Sequence, residues 1–263
     1  MKHTRARLFT LVTLAGMLVH PAATQALEFP NAPERQTSRS SVGGARRGGP
    51  SPQIAFGGRY NPGACSAESE LPEVLMPRDR IQTKASLSPS WIALIPASNR
   101  AERVEIELVD QESNLTLQTA SFELPQSSGL VEFLLPELST EQSDKVYRWQ
   151  LTLECTVAGR QRSESIWGKI ELSDLTPQQA AELNNLRTPR AQAEFYANNG
   201  FWNEAVAAML TARANHPQDW ADLLASVGIT QPDMIEAPLA GTVQAEQAQS
   251  VLHRLFPALT MSR

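Results

Sequence analysis

This chain has little of what usually does chemistry. It holds four histidines and two cysteines in 263 residues. His3 and His20 fall in a segment read below as a removable leader. His216 and His253 have no Ser, Cys or Asp partner at a recognised spacing, so no nucleophilic triad is legible. There is no G-x-S-x-G elbow, no phosphate-binding glycine loop and no H-E-x-x-H. No Cys or His stands at ligand spacing from either cysteine, so neither a metal nor a cofactor is expected. No apolar run reaches the roughly 20 residues that a membrane-spanning helix needs. Basic residues are outnumbered by acidic ones, 23 to 28, and nucleic-acid binding, which needs a basic footprint, is not expected.

What is present begins with an address. Lys2, Arg5 and Arg7 precede an uncharged apolar run over 8–19, and Thr24-Gln25-Ala26 offers small residues at the two positions a signal peptidase reads. Residues 1–26 therefore read as a cleaved secretory signal, with the mature protein periplasmic or extracellular. Leu27, not a cysteine, follows the cut, so a lipid-anchored form is not expected. Removing the leader leaves 20 basic against 28 acidic residues, a net charge of -8. Residues 27–60 are locally basic, with five arginines against Glu28 and Glu34. In an oxidising compartment, Cys65 and Cys155 read as a disulfide; two free thiols are the alternative.

Residues 27–60 carry Pro30, Pro33, Pro50 and Pro52 and a Gly-Arg run at 43–49. Such a stretch has too little apolar surface to offset its ordering entropy and reads as a disordered linker. Arg46 and Arg47 are candidates for touching an anionic surface, such as lipid or acidic glycan. From 61 to 174 the hydrophobic period is two. Val104, Ile106 and Leu108 alternate with Glu105 and Glu107; Leu115 and Leu117 alternate with Thr116 and Gln118. Over 147–155, Tyr147, Trp149, Leu151, Leu153 and Cys155 share the apolar face of one half-buried strand. Further strands are expected at 90–95, 129–135 and 163–172, with turns at Asn99, Ser127-Ser128-Gly129 and Ala158-Gly159. Short strands at this spacing predict an antiparallel, immunoglobulin-like β-sandwich.

At Thr176 the period becomes helical. Thr176-Pro177-Gln178-Gln179 is a capping box with proline at the first helical position, and Thr188-Pro189 repeats the start signal. Trp202, Ala205, Val206 and Met209 share one helix face; Trp220, Leu223, Leu224 and Val227 share another. Residues 175–240 thus form a small helical subdomain in an α+β chain. The tail, 241–263, is expected to form one amphipathic helix with Ala248, Val251, Leu252, Leu255 and Phe256 on one side. That side needs a partner in its own domain or another chain.

Gly200-Phe201-Trp202-Asn203-Glu204-Ala205, with Met209, Ala212 and Pro217, resembles the second half of a tetratricopeptide repeat. The first half is poor and no second copy follows, so a peptide-binding solenoid is not expected. A broader resemblance runs through the Gly-Arg run at 43–49, Tyr147-Arg148-Trp149 with Cys155, Ile166-Trp167-Gly168-Lys169-Ile170-Glu171, the 196–205 segment, and Trp220 with Leu223-Leu224 and Val227-Gly228. In this order the pieces resemble an exported cyanobacterial family known only as a domain of unknown function, number 928 in its series. The resemblance covers roughly 43–240 and implies no activity and no site residues.

Two groups of side chains are candidates for function. A glycosidase needs only two carboxylates, and Glu102, Glu105, Glu107 and Asp110 cluster around one strand; solvated charges that keep a sheet soluble and blunt its edges are the favoured reading of them. Trp167 should point away from the face shared by Ile166, Gly168 and Ile170. It is either covered by the helices or exposed to stack on a sugar ring or a protein partner. The resemblance implies a bacterial chain, in which the Asn114-Leu115-Thr116 glycosylation sequon is expected to be an accident. The sequence points to a non-catalytic exported protein that binds a protein or glycan of the envelope or extracellular space. A glycan-binding sandwich and a hydrolase with a fold-assembled carboxylate pair are the alternatives.

Overall fold

The computed structural model describes residues 26–30, 59–61, 65, 72–77, 83–138, 143–245 and 247–250. Arg46, Arg47, His253 and the tail beyond 250 lie outside the described residues. In chain order the strands before the helices are β1 (Arg59–Asn61), β2 (Glu73–Val74), β3 (Lys84–Ala85), β4 (Ser90–Ile95), β5 (Arg103–Asp110), β6 (Thr116–Glu123), β7 (Gly129–Leu134), β8 (Lys145–Val157) and β9 (Arg160–Leu172). Five helices follow: α1 (Pro177–Asn185), α2 (Pro189–Asn198), α3 (Trp202–Ala212), α4 (Pro217–Ser226) and α5 (Pro232–Glu236). Two strands close the described chain, β10 (Leu239–Gln244) and β11 (Gln247–Ser250). The protein is α+β, with two sheets and a C-terminal helical region.

The larger sheet runs β1-β9-β8-β5-β6-β11, with β3 also paired to β9; the smaller runs β10-β7-β4-β2. The β8–β9 hairpin is the longest element. Its tight turn places Ala158 at φ 50° and Gly159 at φ 73°, a left-handed pair whose twist suits flanking strands. The inner face of β8 is the predicted set, Tyr147, Trp149, Leu151, Leu153 and Cys155, all buried. The two sheets meet through aromatic edges: Trp91 of β4 against Trp149 of β8, and Phe122 of β6 against Phe133 of β7. Edge-to-face contacts add roughly 0.5–1.5 kcal/mol each to the area they bury.

Strand β6 corrects the alternation read from Leu115 and Leu117. Leu115 is exposed, while Gln118, Ala120 and Phe122 face inward. A register shift at Leu108/Val109, opposite the start of β6, accompanies this face, and the Phe122 ring set edge-on to Phe133 holds it. Gln118 tolerates burial in part because its Nε2 donates to the Pro136 carbonyl.

The helical boundaries follow their caps. Thr176 accepts from the Gln179 N–H and Gln179 reaches back to the Thr176 N–H, the reciprocal box expected there. Thr188 caps α2, and Gly200 (φ 83°) and Gly228 (φ 87°) take the left-handed positions after α2 and α4. Apolar residues of the helices and of both sheets form one continuous core.

Two expectations are overturned. The start of the tail is strand, not helix: β10 pairs parallel to β7, and β11 pairs antiparallel to β6. Between them the chain crosses from the small sheet to the large one. Gly129 permits the parallel start, because a Cβ there would lie 2.3 Å from the Pro238 carbonyl oxygen, which accepts the Leu130 N–H. The second correction is at the other end. Residues 26–30 are not linker: Leu27 and Phe29 are buried in the core, alternating with exposed Ala26, Glu28 and Pro30. Two large apolar side chains two residues apart supply the burial that the composition of 27–60 as a whole lacks.

Candidate functional site

The outer face of the larger sheet carries the candidate residues. Along β8 and β9 the register places Gln150 beside Trp167, Thr152 beside Ser165 and Arg148 beside Lys169. Gln150 Nε2 donates to Thr152 Oγ1 at 3.2 Å, and the Thr152 and Ser165 hydroxyls are 3.0 Å apart. Trp167 is half-buried in this polar setting, with Ile166, Gly168 and Ile170 on the buried side as expected. The main contact of the helices with the sheets is α3 on β3 and β4. They take their apolar platform there because Trp202, Val206 and Met209 complete the core at that end.

The same face continues into an open cleft of about 530 Å³ lined by Glu102, Arg103, Glu123, Glu154, Cys155, Thr156, Gln161, Arg162 and Ser163. The sheet register explains the lining. Arg103 of β5 lies opposite Glu123 of β6 on one side and Glu154 of β8 on the other, and Glu154 lies opposite Ser163. Signs alternate across the strands, which favours neighbouring opposite charges. Three carboxylates thus share one cleft, all on exposed residues. Glu105 and Glu107 lie further along β5. Asp110 orders the turn that follows β5, since its Oδ1 accepts the N–H groups of Glu112 and Ser113. Those bonds hold its carboxyl below the usual range.

Cys65 and Cys155 are bonded, closing a separation of 90 residues. The bridge ties the segment between β1 and β2 to the inner side of β8, and the Cys65 carbonyl accepts the Arg100 N–H. His216 does not assemble a triad. Its Nδ1 lies 3.5 Å from Asp219 Oδ2, and that carboxylate already receives Arg190 Nε at 2.6 Å. Among the described residues no group of three His, Cys, Asp or Glu side chains is placed to hold a metal ion, and no helix is long and apolar enough to cross a membrane.

Sequence reasoning missed a second polar site, at the junction of helices and sheets. Five consecutive residues fasten it. Gly200 accepts the Lys84 N–H, Phe201 forms a bridge with Lys84, and Trp202 Nε1 donates to the Leu75 carbonyl at 2.8 Å. Asn203 Nδ2 donates to the Ser90 carbonyl at 2.7 Å, and Glu204 Oε1 accepts the Ser86 N–H at 2.8 Å. Asn203 Oδ1 and Glu204 Oε2 are buried without a hydrogen-bond partner. Burial pushes the Glu204 carboxyl above its ordinary range against the pull of the Ser86 bonds, and it pushes the Tyr196 phenol up as well, with help from Glu204. The signal was in the sequence: Asn203 and Glu204 are polar residues inside the otherwise apolar stretch 201–210. These residues carried the tetratricopeptide resemblance; here they attach a helix to a sheet.

The fastening pentapeptide, the Trp167-Gly168 segment of β9 and the strand leading to Cys155 all fall within residues 42–239, which match a single family. No curated protein and no solved structure matches the chain. The match spans most of the 263 residues, and the chain belongs to the family described as Domain of Unknown Function (DUF928).

Proposed function

We propose that this is an exported, non-catalytic binding protein of the cell envelope or extracellular space, and that it binds through the outer face of its larger sheet. The observation that carries this reading is the face itself. Trp167 stands among the amide of Gln150 and the hydroxyls of Thr152 and Ser165, away from the α3 contacts with β3 and β4. An aromatic plane beside amide and hydroxyl groups suits a sugar ring, with apolar stacking on one side and hydrogen bonds at the edge. A glycan is therefore the favoured ligand, with a protein partner as the broader form of the reading. Export is supported by the three-part leader and by the Cys65–Cys155 bridge, which an oxidising compartment sustains. The two sheets sharing one core support a β-sandwich related to the immunoglobulin type.

The cleft with Glu102, Glu123 and Glu154 favours a second reading, hydrolysis of a glycan held on the same face. A glycosidase acid works with a raised pKa in a sheltered site, whereas these three residues are exposed. One experiment separates the readings. The mature protein and its Trp167→Ala variant are applied to an array of envelope and extracellular polysaccharides, and the bound glycans are analysed for chain cleavage. Binding that falls at least tenfold in the variant, with glycans intact, is the expected result. Binding unaffected by the substitution removes Trp167 from the site, and cleavage that stops in Glu154→Gln turns the protein into a hydrolase.

A further inference from the structure

The segment that follows the expected leader cut sits in a built seat. Leu27 and Phe29 are each 3 % exposed, while Ala26, Glu28 and Pro30 between and around them are exposed. The Phe29 ring stands edge-on to Trp202, with centroids 5.2 Å apart at 90°. Its backbone N–H donates to Ser226 Oγ at 2.9 Å, and the same hydroxyl donates to the Leu223 carbonyl at 2.6 Å. The seat is therefore made by α3 and the last turn of α4, and its floor, Trp202, is pinned to the Leu75 carbonyl. Phe29 and Ser226 are 197 residues apart in sequence, so the contact is tertiary in origin.

We propose that the seam between α3 and the end of α4 is a peptide-binding site for an extended segment with apolar residues two apart, and that its resident occupant is the chain's own Leu27-Glu28-Phe29. Three features fit a receptor rather than ordinary core. The occupant is extended, with its side chains alternating in and out. It is held through one backbone N–H as well as by packing, as in peptide recognition generally. Ser226 also has its hydroxyl directed by Leu223, so the acceptor is oriented toward whichever backbone N–H occupies the seat. The segment thus works as a clasp that closes the helical region over Trp202. This site is distinct from the outer sheet face and stands whether or not that face binds glycan.

The test keeps the whole mature chain. A protease site is inserted between Gly48 and Gly49, and the chain, begun at Leu27, is cut after folding. The Cys65–Cys155 bridge lies on the C-terminal side of the cut and cannot hold the released piece. The expected result is that fragment 27–48 co-elutes with the body in gel filtration and is displaced by excess synthetic peptide of residues 27–34. With Phe29→Ala, retention falls at least tenfold. A fragment that separates at once on cutting overturns the proposal, as does a Phe29→Ala fragment held as firmly as the original. A cut chain that runs as a dimer through exchanged segments overturns the assignment in cis. A second measurement needs no cut. In the intact chain the Phe29 amide should exchange its hydrogen at least tenfold more slowly than in the free peptide, and Ser226→Ala should cancel most of that protection. An unprotected Phe29 amide overturns the clasp.

Discussion

Glu204 holds the backbone N–H of Ser86 with one carboxylate oxygen and keeps the other buried without a partner. This bond joins the first turn of α3 to the connection between β3 and β4. Beside it, Asn203 takes the Ser90 carbonyl at the far end of the same connection. A short loop is thus gripped at both ends by adjacent residues of one helix. The helical region is joined to the sheets by directed bonds as well as by apolar packing, which fixes its position against β3 and β4.

The Glu204 grip should make stability depend on pH. Burial raises the folded carboxyl, whereas in the unfolded chain it ionises near pH 4.3. Between that pH and the raised folded value, the unfolded chain has lost the proton and the native one keeps it. Stability therefore falls as pH rises through this window, and the loss is complete above the folded value. Each unit of separation removes about 1.4 kcal/mol. Of the titratable groups on the neighbouring elements, Tyr196 of α2 is coupled to Glu204 and is itself raised. Glu204→Gln should match the original protein near pH 4 and melt above it at about pH 8. Melting curves that shift in parallel from pH 4 to 9 would remove Glu204 as the source.

Asn203 offers a sharper test, because its amide is needed as a donor. In Asn203→Asp, the shape is kept but an ionised carboxylate oxygen faces the Ser90 carbonyl. A buried acceptor set against an acceptor costs about 1–3 kcal/mol, and more when it is charged, as it is at neutral pH. At acidic pH the protonated carboxyl can donate, so the variant should recover much of the loss. Chemical denaturation at pH 4 and pH 7 measures both values; an equal deficit at the two would show that packing, not the hydrogen bond, matters at this position.

The disulfide should contribute through the unfolded chain. Closing a loop of this length is worth about 4–5 kcal/mol in the chain-entropy picture, with measured bridges commonly at 2–4. The separation of 90 residues is what makes it large. The double variant Cys65→Ser, Cys155→Ser should lose roughly 2–4 kcal/mol in guanidinium unfolding. Alkylation of the native protein should label no thiol before reduction and two after it.

Much of this architecture was legible in the sequence because its signals are local. The alternation from Tyr147 to Cys155, the capping box at Thr176 and the start signal at Thr188-Pro189 each need only neighbours along the chain. What was missed depends on distant partners. The apolar pattern of the tail fits a helix, but Gly129 leaves room for a parallel strand beside β7, and β11 finds the free edge of β6. Leu27 and Phe29 stand in a proline- and serine-rich region whose average composition hides two good anchors; their value appears only once Trp202 and Ser226 are brought beside them. For the candidate site, Trp167 could be placed on the outer face from the period alone. The cleft could not, because Glu123, Arg103 and Glu154 are aligned by strand register.

Register also explains the glycine next to Trp167. Gly168 of β9 lies opposite Trp149 of β8 on the buried face, and a Cβ at 168 would stand 2.8–2.9 Å from three atoms of the Trp149 indole. The ring therefore lies across the glycine backbone and fills the space a side chain would take. Trp149 cannot retreat freely, since its other side meets Trp91 across the core. Gly168→Ala should cost about 1–3 kcal/mol by overpacking, despite the higher strand propensity of alanine. The effect should depend on the ring: in a Trp149→Phe background the added methyl finds room, and the penalty should shrink by at least half. Unfolding free energies of the two singles and the double close the cycle. A Gly168→Ala penalty that is the same in both backgrounds would mean that the glycine is required by its backbone rather than by the tryptophan laid over it.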